Sequence, residues 1–374
     1  MADKLTVNEE RIRKEFCELV EIDSVSFQER QMADRLTEKL KSIGFTVEED
    51  DAGSRIGGNA GNLFGVLKGG LPGSPILLSG HMDTVEPGIG KKAVCHEDGR
   101  ITSRGDTVLG ADDLAAVVEI LEGIRIVREA GLPHRDIELL LAAAEEPFTK
   151  GSSAFDFSRV TAKEAYVLDV SGPVGKAILK APTILSFEVQ IKGRAAHAGF
   201  EPEKGIHSIQ ILSRGIGELK LGRVDEETTL NIGLISGGSV VNAVPEYASC
   251  RGEIRSYDHE KALRSLEYVR ETFVRSVQGT GAELVFTHQV NVKAFQIQPS
   301  EPVVAHFTQA CRNLGIEPEF GSTFGGSDGN TIVQHGIPCA VLSCGMYEAH
   351  SVREYTRLSD MADGARMVAE LIRQ

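Results

Sequence analysis

Apolar residues recur along this chain with two different periods, which separate predicted helices from predicted strands. The segment of residues 112–131 has the clearest helical period, and Gly131 is suited to end that helix. Its apolar stripe consists of Leu114, Val117, Val118, Leu121 and Ile124. Amphipathic spacing also predicts helices in residues 8–22 and 26–45, where Ser26 and Glu29 suit a capping box for the second helix.

Short apolar runs between these helices predict buried strands. The runs are GNLFGVLKG, SPILLSGHMD, DIELLLAAAEE and EAYVLDVSG. Strands that alternate with helices usually form a largely parallel sheet whose two faces are covered. The first part of the chain is therefore predicted to be an α/β domain with a mixed or parallel sheet and helices on both faces.

The pattern changes near residue 180. In TILSFEVQIKG, apolar and polar residues alternate, as in a strand with one exposed face. A strand–helix–strand–strand–helix–strand order follows, which predicts a compact α+β, ferredoxin-like insert with an antiparallel sheet. The α/β pattern resumes near residue 295. We therefore predict a discontinuous first domain, residues 1–178 and 295–374, interrupted by a second domain of residues 179–294.

Composition narrows the possible partners. The 374 residues carry a formal net charge of -14, which argues against a nucleic-acid or anionic-membrane partner, because both need a positive protein surface. The polar N-terminus lacks the apolar core of a signal peptide, and no apolar run is long enough to span a membrane. The six cysteines are scattered without a CxxC pair. These features predict a cytoplasmic protein with reduced thiols.

Histidines and acids stand at the predicted ends of several elements. In open α/β sheets, sites form beyond the carboxyl ends of the strands, so these side chains are expected to converge. Imidazoles and carboxylates without thiolates suit zinc, or manganese or cobalt. The residues are His81, Asp83, Asp112, Asp113, Glu145, Glu146, Asp169 and His350.

Each of these residues also has an ordinary interpretation. Asp112 and Asp113 are suited to cap a helix, and Glu145 and Glu146 could be the polar end of a strand. Burial of Asp169 without a partner would be costly. Since several such features recur at matching ends of elements, the sequence favours a common site.

The motifs SGHMDTV, LGADDLAA, AAAEEPFTKGSSAFD, YVLDVSG, GRAAHAG, GGSDGN and EAHSVREY resemble those of the M20 metallopeptidase family. They follow the family order over essentially the whole chain and are most similar to its peptidase T (tripeptide aminopeptidase) branch. The resemblance implies two zinc ions per subunit, with cobalt or manganese as alternatives. His81 and Asp169 would bind the first ion, Glu146 and His350 the second, and Asp112 would bridge them.

The resemblance also assigns the catalytic roles. Glu145 would be the general base, and the peptide bond between Asp112 and Asp113 is expected to be cis. Asp83, two residues after His81, could accept the ring N–H that His81 does not use for metal. His197 would reach the active site of the partner subunit and stabilise the oxyanion, although a simple loop histidine is the alternative.

Substrate contacts are expected partly from the insert. Arg255 suits a peptide carboxylate because a guanidinium can bind it with two hydrogen bonds, although it could equally be a surface arginine. The other candidates are Asn242 and the glycine-rich loop Gly325, Gly326 and Ser327. Peptidase T enzymes tend to have a glycine run in the loop after the residue that matches Asp169, whereas this loop reads VSGPVG. This difference weakens the case for strict tripeptide preference.

These expectations combine into one function. The predicted protein is a zinc-dependent aminopeptidase that acts on short peptides as a homodimer assembled through the insert. The alternatives are an N-acyl-amino-acid deacylase, a desuccinylase or a carboxypeptidase with the same two-metal site. A metal-binding or scaffolding protein without catalysis is the remaining alternative, but Glu145 and all the expected ligands are present.

Overall fold

The computed structural model describes residues 5–374, and this part of the chain forms two compact units. The first unit extends to Lys180 and also contains Gln296–Thr323 and Ser327–Gln374; the second contains Ala181–Phe295 and Phe324–Gly326. The helices are α1 (Glu9–Val20), α2 (Arg30–Ser42), α3 (Ala52–Ile56), α4 (Ala111–Glu129), α5 (Lys150–Ala154), α6 (Ser208–Glu218), α7 (His259–Val277), α8 (Pro302–Leu314), α9 (Asp328–Gln334) and α10 (Leu358–Leu371).

Strands of 2 to 10 residues lie between the helices. They are β1 (Thr46–Glu49), β2 (Leu63–Leu67), β3 (Ile76–His81), β4 (Ala93–Cys95), β5 (Arg100–Ser103), β6 (Ile137–Ala142), β7 (Ala165–Ser171), β8 (Lys176–Ala181), β9 (Thr183–Lys192), β10 (Ala196–His197), β11 (Gly222–Asp225), β12 (Thr228–Gly237), β13 (Ala243–Val244), β14 (Tyr247–Ser256), β15 (Glu283–Val292), β16 (Phe295–Gln296), β17 (Glu319–Ser322), β18 (Cys339–Tyr347) and β19 (Tyr355–Arg357).

The first unit is built on a mixed sheet in the order β1-β2-β6-β3-β7-β18-β19-β5-β4. Its four central strands, β6, β3, β7 and β18, are parallel. Strands β3 and β6 are buried along their whole length, as the uninterrupted apolar runs predicted. Because the central strands are parallel, their carboxyl ends lie along one edge of the sheet.

Two helices of this unit approach unusually closely. Helix α4 packs against α10 and against β3, β7 and β18. A Cβ at Gly123 would come within 2.7 Å of the Ala365 carbonyl oxygen, and a Cβ at Gly364 would meet the Glu119 carboxyl at 2.1 Å. The two glycines therefore permit the close packing of α4 against α10.

The second unit has the predicted α+β architecture. Its antiparallel sheet has the order β11-β12-β14-β9-β15, and α6 and α7 pack against it. The buried core includes Phe187, Val189 and Ile254 from the sheet and Val269 and Phe273 from α7. The chain order of β9, α6, β12, β14, α7 and β15 confirms the predicted ferredoxin-like order, with β11 as an additional edge strand.

The sequence prediction was wrong in two places. The capping box does not form, because α2 begins at Arg30 and its first turn has no side-chain cap. The strand before Glu145 ends at Ala142, four residues earlier than predicted, because Ala144 has a left-handed φ of 45°. Both errors fall beside the candidate site. No helix among residues 5–374 is both long and apolar enough to cross a membrane.

Candidate active site

The predicted metal ligands come together at the carboxyl edge of the central strands. His81 is the last residue of β3, Asp169 lies near the end of β7, and His350 follows β18. Asp112 lies in the first turn of α4, and the peptide bond between Asp112 and Asp113 is cis, as the resemblance implied. Parallel strand ends thus gather residues that are far apart in the sequence.

These side chains form two clusters that share one carboxylate. The first contains His81, Asp112, Asp113 and Asp169, and the second contains Asp112, Glu146 and His350. Within each cluster, the potential ligand atoms lie within 4.8 Å of one another. Asp112 Oδ1 is 3.1 Å from His81 Nε2, whereas Asp112 Oδ2 is 3.1 Å from His350 Nε2. One oxygen of Asp112 thus faces each cluster, which is the arrangement of a carboxylate that can bridge two metal ions.

His81 is oriented for metal binding by its other ring nitrogen. Its Nδ1 lies 2.9 Å from the backbone carbonyl oxygen of Asp83, which can only accept a hydrogen bond. The neutral imidazole then presents its Nε2 lone pair to the cluster. The prediction gave this role to the Asp83 carboxylate, but that carboxylate lies farther away, at 3.4 Å.

The clusters are electrostatically unbalanced in favour of acids. Burial raises the pKa of Asp169 well above its usual range, and the charge of Asp112 adds to this effect. Burial also raises the pKa of Glu145 well above its usual range, and the charge of Asp169 raises it further. Hydrogen bonds to Asp112 and Glu146 raise the pKa of His350 to about 10. The carboxylates thus repel one another and favour positive charge between them.

A divalent cation fits this arrangement. The clusters supply imidazole nitrogens and carboxylate oxygens without a thiolate, which suits zinc, cobalt or manganese. Glu146 Oε2 lies 3.0 Å from His350 Nε2, but Glu146 Oε1 is buried without a hydrogen-bond partner in the described chain. A buried carboxylate oxygen without a partner is costly, and a cation would satisfy it.

Glu145 and Glu146 leave the strand in different directions. Glu146 points to His350, as its contact with the ring shows. Glu145 is also buried, yet in the part of the chain that the structure describes its carboxylate receives no hydrogen bond. The chain therefore separates the two neighbouring acids into one that joins the ligand cluster and one that does not.

Glu354 is a site residue that the sequence analysis missed. It is buried, and its Oε2 and Oε1 accept the backbone N–H groups of Gly110 and Asp112 at 2.7 and 2.9 Å. It lies four residues after His350, in the EAHSVREY motif that was already singled out. An acid so close to a ligand was a usable signal, but only the fold shows that it binds the turn carrying Asp112.

His197 and Asn242 lie in the second unit. Strand β10 pairs with β13, and the Asn242 carbonyl accepts the Ala198 N–H at 3.0 Å. His197 Nδ1 accepts the N–H groups of Gly199 and Phe200 at 3.1 and 3.2 Å, so the neutral ring carries its hydrogen on Nε2. The exposed imidazole is thus oriented as a hydrogen-bond donor.

Arg255 also lies in the second unit, where much of its guanidinium is already engaged. Its Nε and Nη2 contact the Glu253 carboxylate at 2.8 and 3.0 Å, and Nη1 donates to the Phe324 carbonyl at 2.8 Å. A peptide carboxylate would have to compete with Glu253 for that paired face. Its assignment as a substrate residue stays a prediction.

The glycine-rich loop is divided between the two units. Gly325 and Gly326 belong to the second unit, whereas Ser327 belongs to the first. Ser327 is buried and caps α9 through a capping box with Asn330. The capping contacts explain the position of the Ser327 side chain without a substrate. A substrate role for the loop stays a prediction.

Known proteins resemble this chain over almost its whole length. Residues 77–374 match the sequence profile of peptidase family M20/M25/M40. Aminopeptidase PepT from Bacillus cereus ATCC 10987 is 37% identical, with a TM-score of 0.91 and 98% of each chain covered. A tripeptidase from Staphylococcus aureus subsp. aureus mu50 is 33% identical, with a TM-score of 0.94 and the same coverage. The uncharacterized protein YqjE of Bacillus subtilis (strain 168) is 37% identical over 98% of this chain and 99% of its own.

Proposed function

The chain belongs to peptidase family M20/M25/M40, within its peptidase T-like branch, and is a peptide hydrolase; from this premise we propose that it is a zinc-dependent aminopeptidase that removes the N-terminal residue of short peptides. The observation that carries the proposal is the shared carboxylate of Asp112 between two ligand clusters. The PepT and tripeptidase relatives support this choice of substrate.

Each ligand has a defined place in this proposal. His81 and Asp169 would hold one zinc ion, Glu146 and His350 would hold the other, and Asp112 would be shared between them. Two bound divalent cations supply Lewis-acid polarisation of the scissile carbonyl and lower the pKa of water. His81 would bind the metal through its Nε2 lone pair, because its Nδ1–H donates to the backbone carbonyl of Asp83.

Glu145 is the proposed general base. Its carboxylate is buried next to the clusters and is not used by another described side chain, so it can accept a proton from the attacking water. The same oxygen can then return that proton to the departing amine. His197 is the proposed donor to the oxyanion because its Nε2 carries the hydrogen.

A substrate panel tests the proposal directly. The protein is assayed with tri-Ala, di-Ala, N-acetyl-tri-Ala, N-acetyl-Ala and N-succinyl amino acids, each with added Zn²⁺, Co²⁺ or Mn²⁺. We expect tri-Ala to be cleaved at its first bond and N-acetyl-tri-Ala to resist, because an aminopeptidase requires a free amine. Preferential hydrolysis of the N-acyl amino acids would instead identify a deacylase or desuccinylase, and release of the C-terminal residue would identify a carboxypeptidase.

The Glu145→Gln variant tests the mechanism. It keeps the side-chain size but removes the base, so turnover should fall by about 10²–10⁴-fold while the bound metal is unchanged. Glu97→Gln on the exposed surface is the matched control. Turnover near the wild-type rate in Glu145→Gln would exclude this glutamate as the base.

A further inference from the structure

The turn that carries Glu145 and Glu146 is held by side chains instead of by a neighbouring strand. Four consecutive backbone N–H groups, those of residues 143–146, all donate to side-chain oxygens. The acceptors are Asn62 Oδ1 at 3.1 Å, Glu29 Oε1 at 2.9 Å, Asp83 Oδ1 at 2.9 Å and Asp83 Oδ2 at 3.2 Å, respectively. Asn62, Glu29 and Asp83 are the turn clamp.

All three acceptors of the turn clamp are fully buried. An N–H group that lost its acceptor here would find little water to replace it, which makes each of these hydrogen bonds expensive to remove. The clamp also accommodates the left-handed φ of 45° at Ala144, the residue that turns the chain out of β6. It therefore determines the direction in which the two glutamates leave the strand.

The N-terminal segment contributes two residues to this arrangement. Ser26 donates its Oγ–H to Asp83 Oδ2 at 2.7 Å, and Glu29 Oε1 accepts the Phe27 N–H as well as that of Ala144. This segment is joined to the strand end near His81 by the hydrogen bond from the Thr84 N–H to the Ser24 carbonyl. The pair that resembled a capping box thus binds the catalytic turn instead of helix α2.

We propose that Ser26 and Glu29 are positioning residues for the Glu145–Glu146 pair. Glu29 fixes the turn through Ala144, and Ser26 fixes the Asp83 carboxylate that holds both glutamate N–H groups. Through these contacts they keep Glu146 directed toward His350 in the second cluster and keep Glu145 in the position proposed for proton transfer. This inference rests on the proposed function for its catalytic meaning, whereas the geometry of the turn clamp does not.

The oxygen of Glu29, and not its charge, performs this role. Its Oε1 accepts both N–H groups, while Oε2 is buried without a hydrogen-bond partner in the described chain. A glutamine keeps an accepting oxygen at this position, whereas a methionine of similar size keeps the packing and removes the acceptor. The two substitutions therefore separate hydrogen bonding from volume.

The experiment compares Glu29→Met, Glu29→Gln and Ser26→Ala with the wild type, and Glu21→Met on the exposed surface is the control. Four quantities are measured in the full chain: kcat on tri-Ala, KM on tri-Ala, zinc content, and deuterium uptake of residues 143–147. Glu29→Met should lower kcat about tenfold or more with little change in KM, because a displaced base reacts poorly even when substrate binds. Its turn should also exchange faster, and Glu29→Gln should recover most of both losses.

Each outcome decides the proposal. Unchanged kcat in Glu29→Met, or equal losses in Glu29→Gln and Glu29→Met, would overturn it, because the accepting oxygen would then not matter. If Glu29→Met does not fold, Ser26→Ala decides, since it removes only the hydrogen bond to Asp83 and should lower kcat and protection of residues 145–146. If the wild type cleaves none of the peptides, the proposed function fails, and the deuterium uptake still decides whether the clamp holds the turn.

Discussion

Glu354 accepts the backbone N–H of Asp112 at 2.9 Å, so a buried carboxylate outside the ligand set anchors the residue shared by the two clusters. The other Glu354 oxygen accepts the N–H of Gly110, the residue that precedes α4. The position of Asp112 between the two clusters therefore depends on a residue that belongs to neither of them.

Replacement of Glu354 by alanine is expected to weaken metal binding. Loss of a partner that orients a ligand typically costs about 10–100-fold in metal affinity. Competition with a chelator measures this affinity, and Glu97→Ala provides an exposed control. Wild-type affinity in Glu354→Ala would show that the turn holds Asp112 in place without this anchor.

If the chain binds two metal ions as proposed, replacement of His350 by alanine is expected to remove one of them. His350 Nε2 contacts Asp112 and Glu146 at 3.1 and 3.0 Å and is the one imidazole of the second cluster. Metal analysis should therefore fall from two ions to about one per chain, because the first cluster keeps its imidazole. His288→Ala, which changes an exposed histidine, should leave the content unchanged; an equal content in His350→Ala would refute this ligand.

His197 is predicted to act in the partner's active site. If so, co-expression of His197→Ala and Glu145→Ala chains yields hybrid dimers in which one site combines an intact Glu145 with an intact His197. Such mixtures should regain peptidase activity that neither variant has alone. Activity no higher than that of the separate variants, in a sample shown to contain hybrid dimers, would argue for action within one chain.

Cys17 and Cys95 are expected to form a disulfide under oxidising conditions. Their sulfur atoms lie 3.5 Å apart, and Cys95 is exposed, whereas the described cysteines at 250, 311, 339 and 344 are buried. Oxidised glutathione should therefore link the peptides of Cys17 and Cys95, as detected by mass spectrometry without reductant. Cys95→Ser should abolish the link, and a different pairing in the wild type would contradict the prediction.

The sequence was sufficient for features that depend on periodicity and chain order. The stripe from Leu114 to Ile124 predicted α4, and the alternation after residue 180 predicted the antiparallel insert. The family motifs also named residues that the structure gathers into the two clusters, from His81 to His350, although Asp113 was not expected as a ligand and the roles of all of them stay predictions. These predictions succeed because each depends on spacing along the chain or on a motif of short range.

The residues that hold the site were harder to predict. Ser26 and Glu29 have the spacing of a capping box, and nothing local shows that their partners are Asp83 and the N–H of Ala144. The sequence predicted a strand that continues to Glu146, whereas β6 ends at Ala142. Its end depends on side-chain acceptors that come from distant segments.

Strand β18 also sets an order for assembly during synthesis. It pairs with β7 in the sheet, yet the entire inserted unit is translated between the two strands. When His81, Asp112 and Glu146 have been translated, the nascent chain still has an incomplete sheet and lacks His350. The acids of the second cluster then lack their imidazole. If the second cluster binds a metal ion as proposed, that ion can be held by its full ligand set only after β18 and His350 have been translated, so completion of this cluster is a late event in folding.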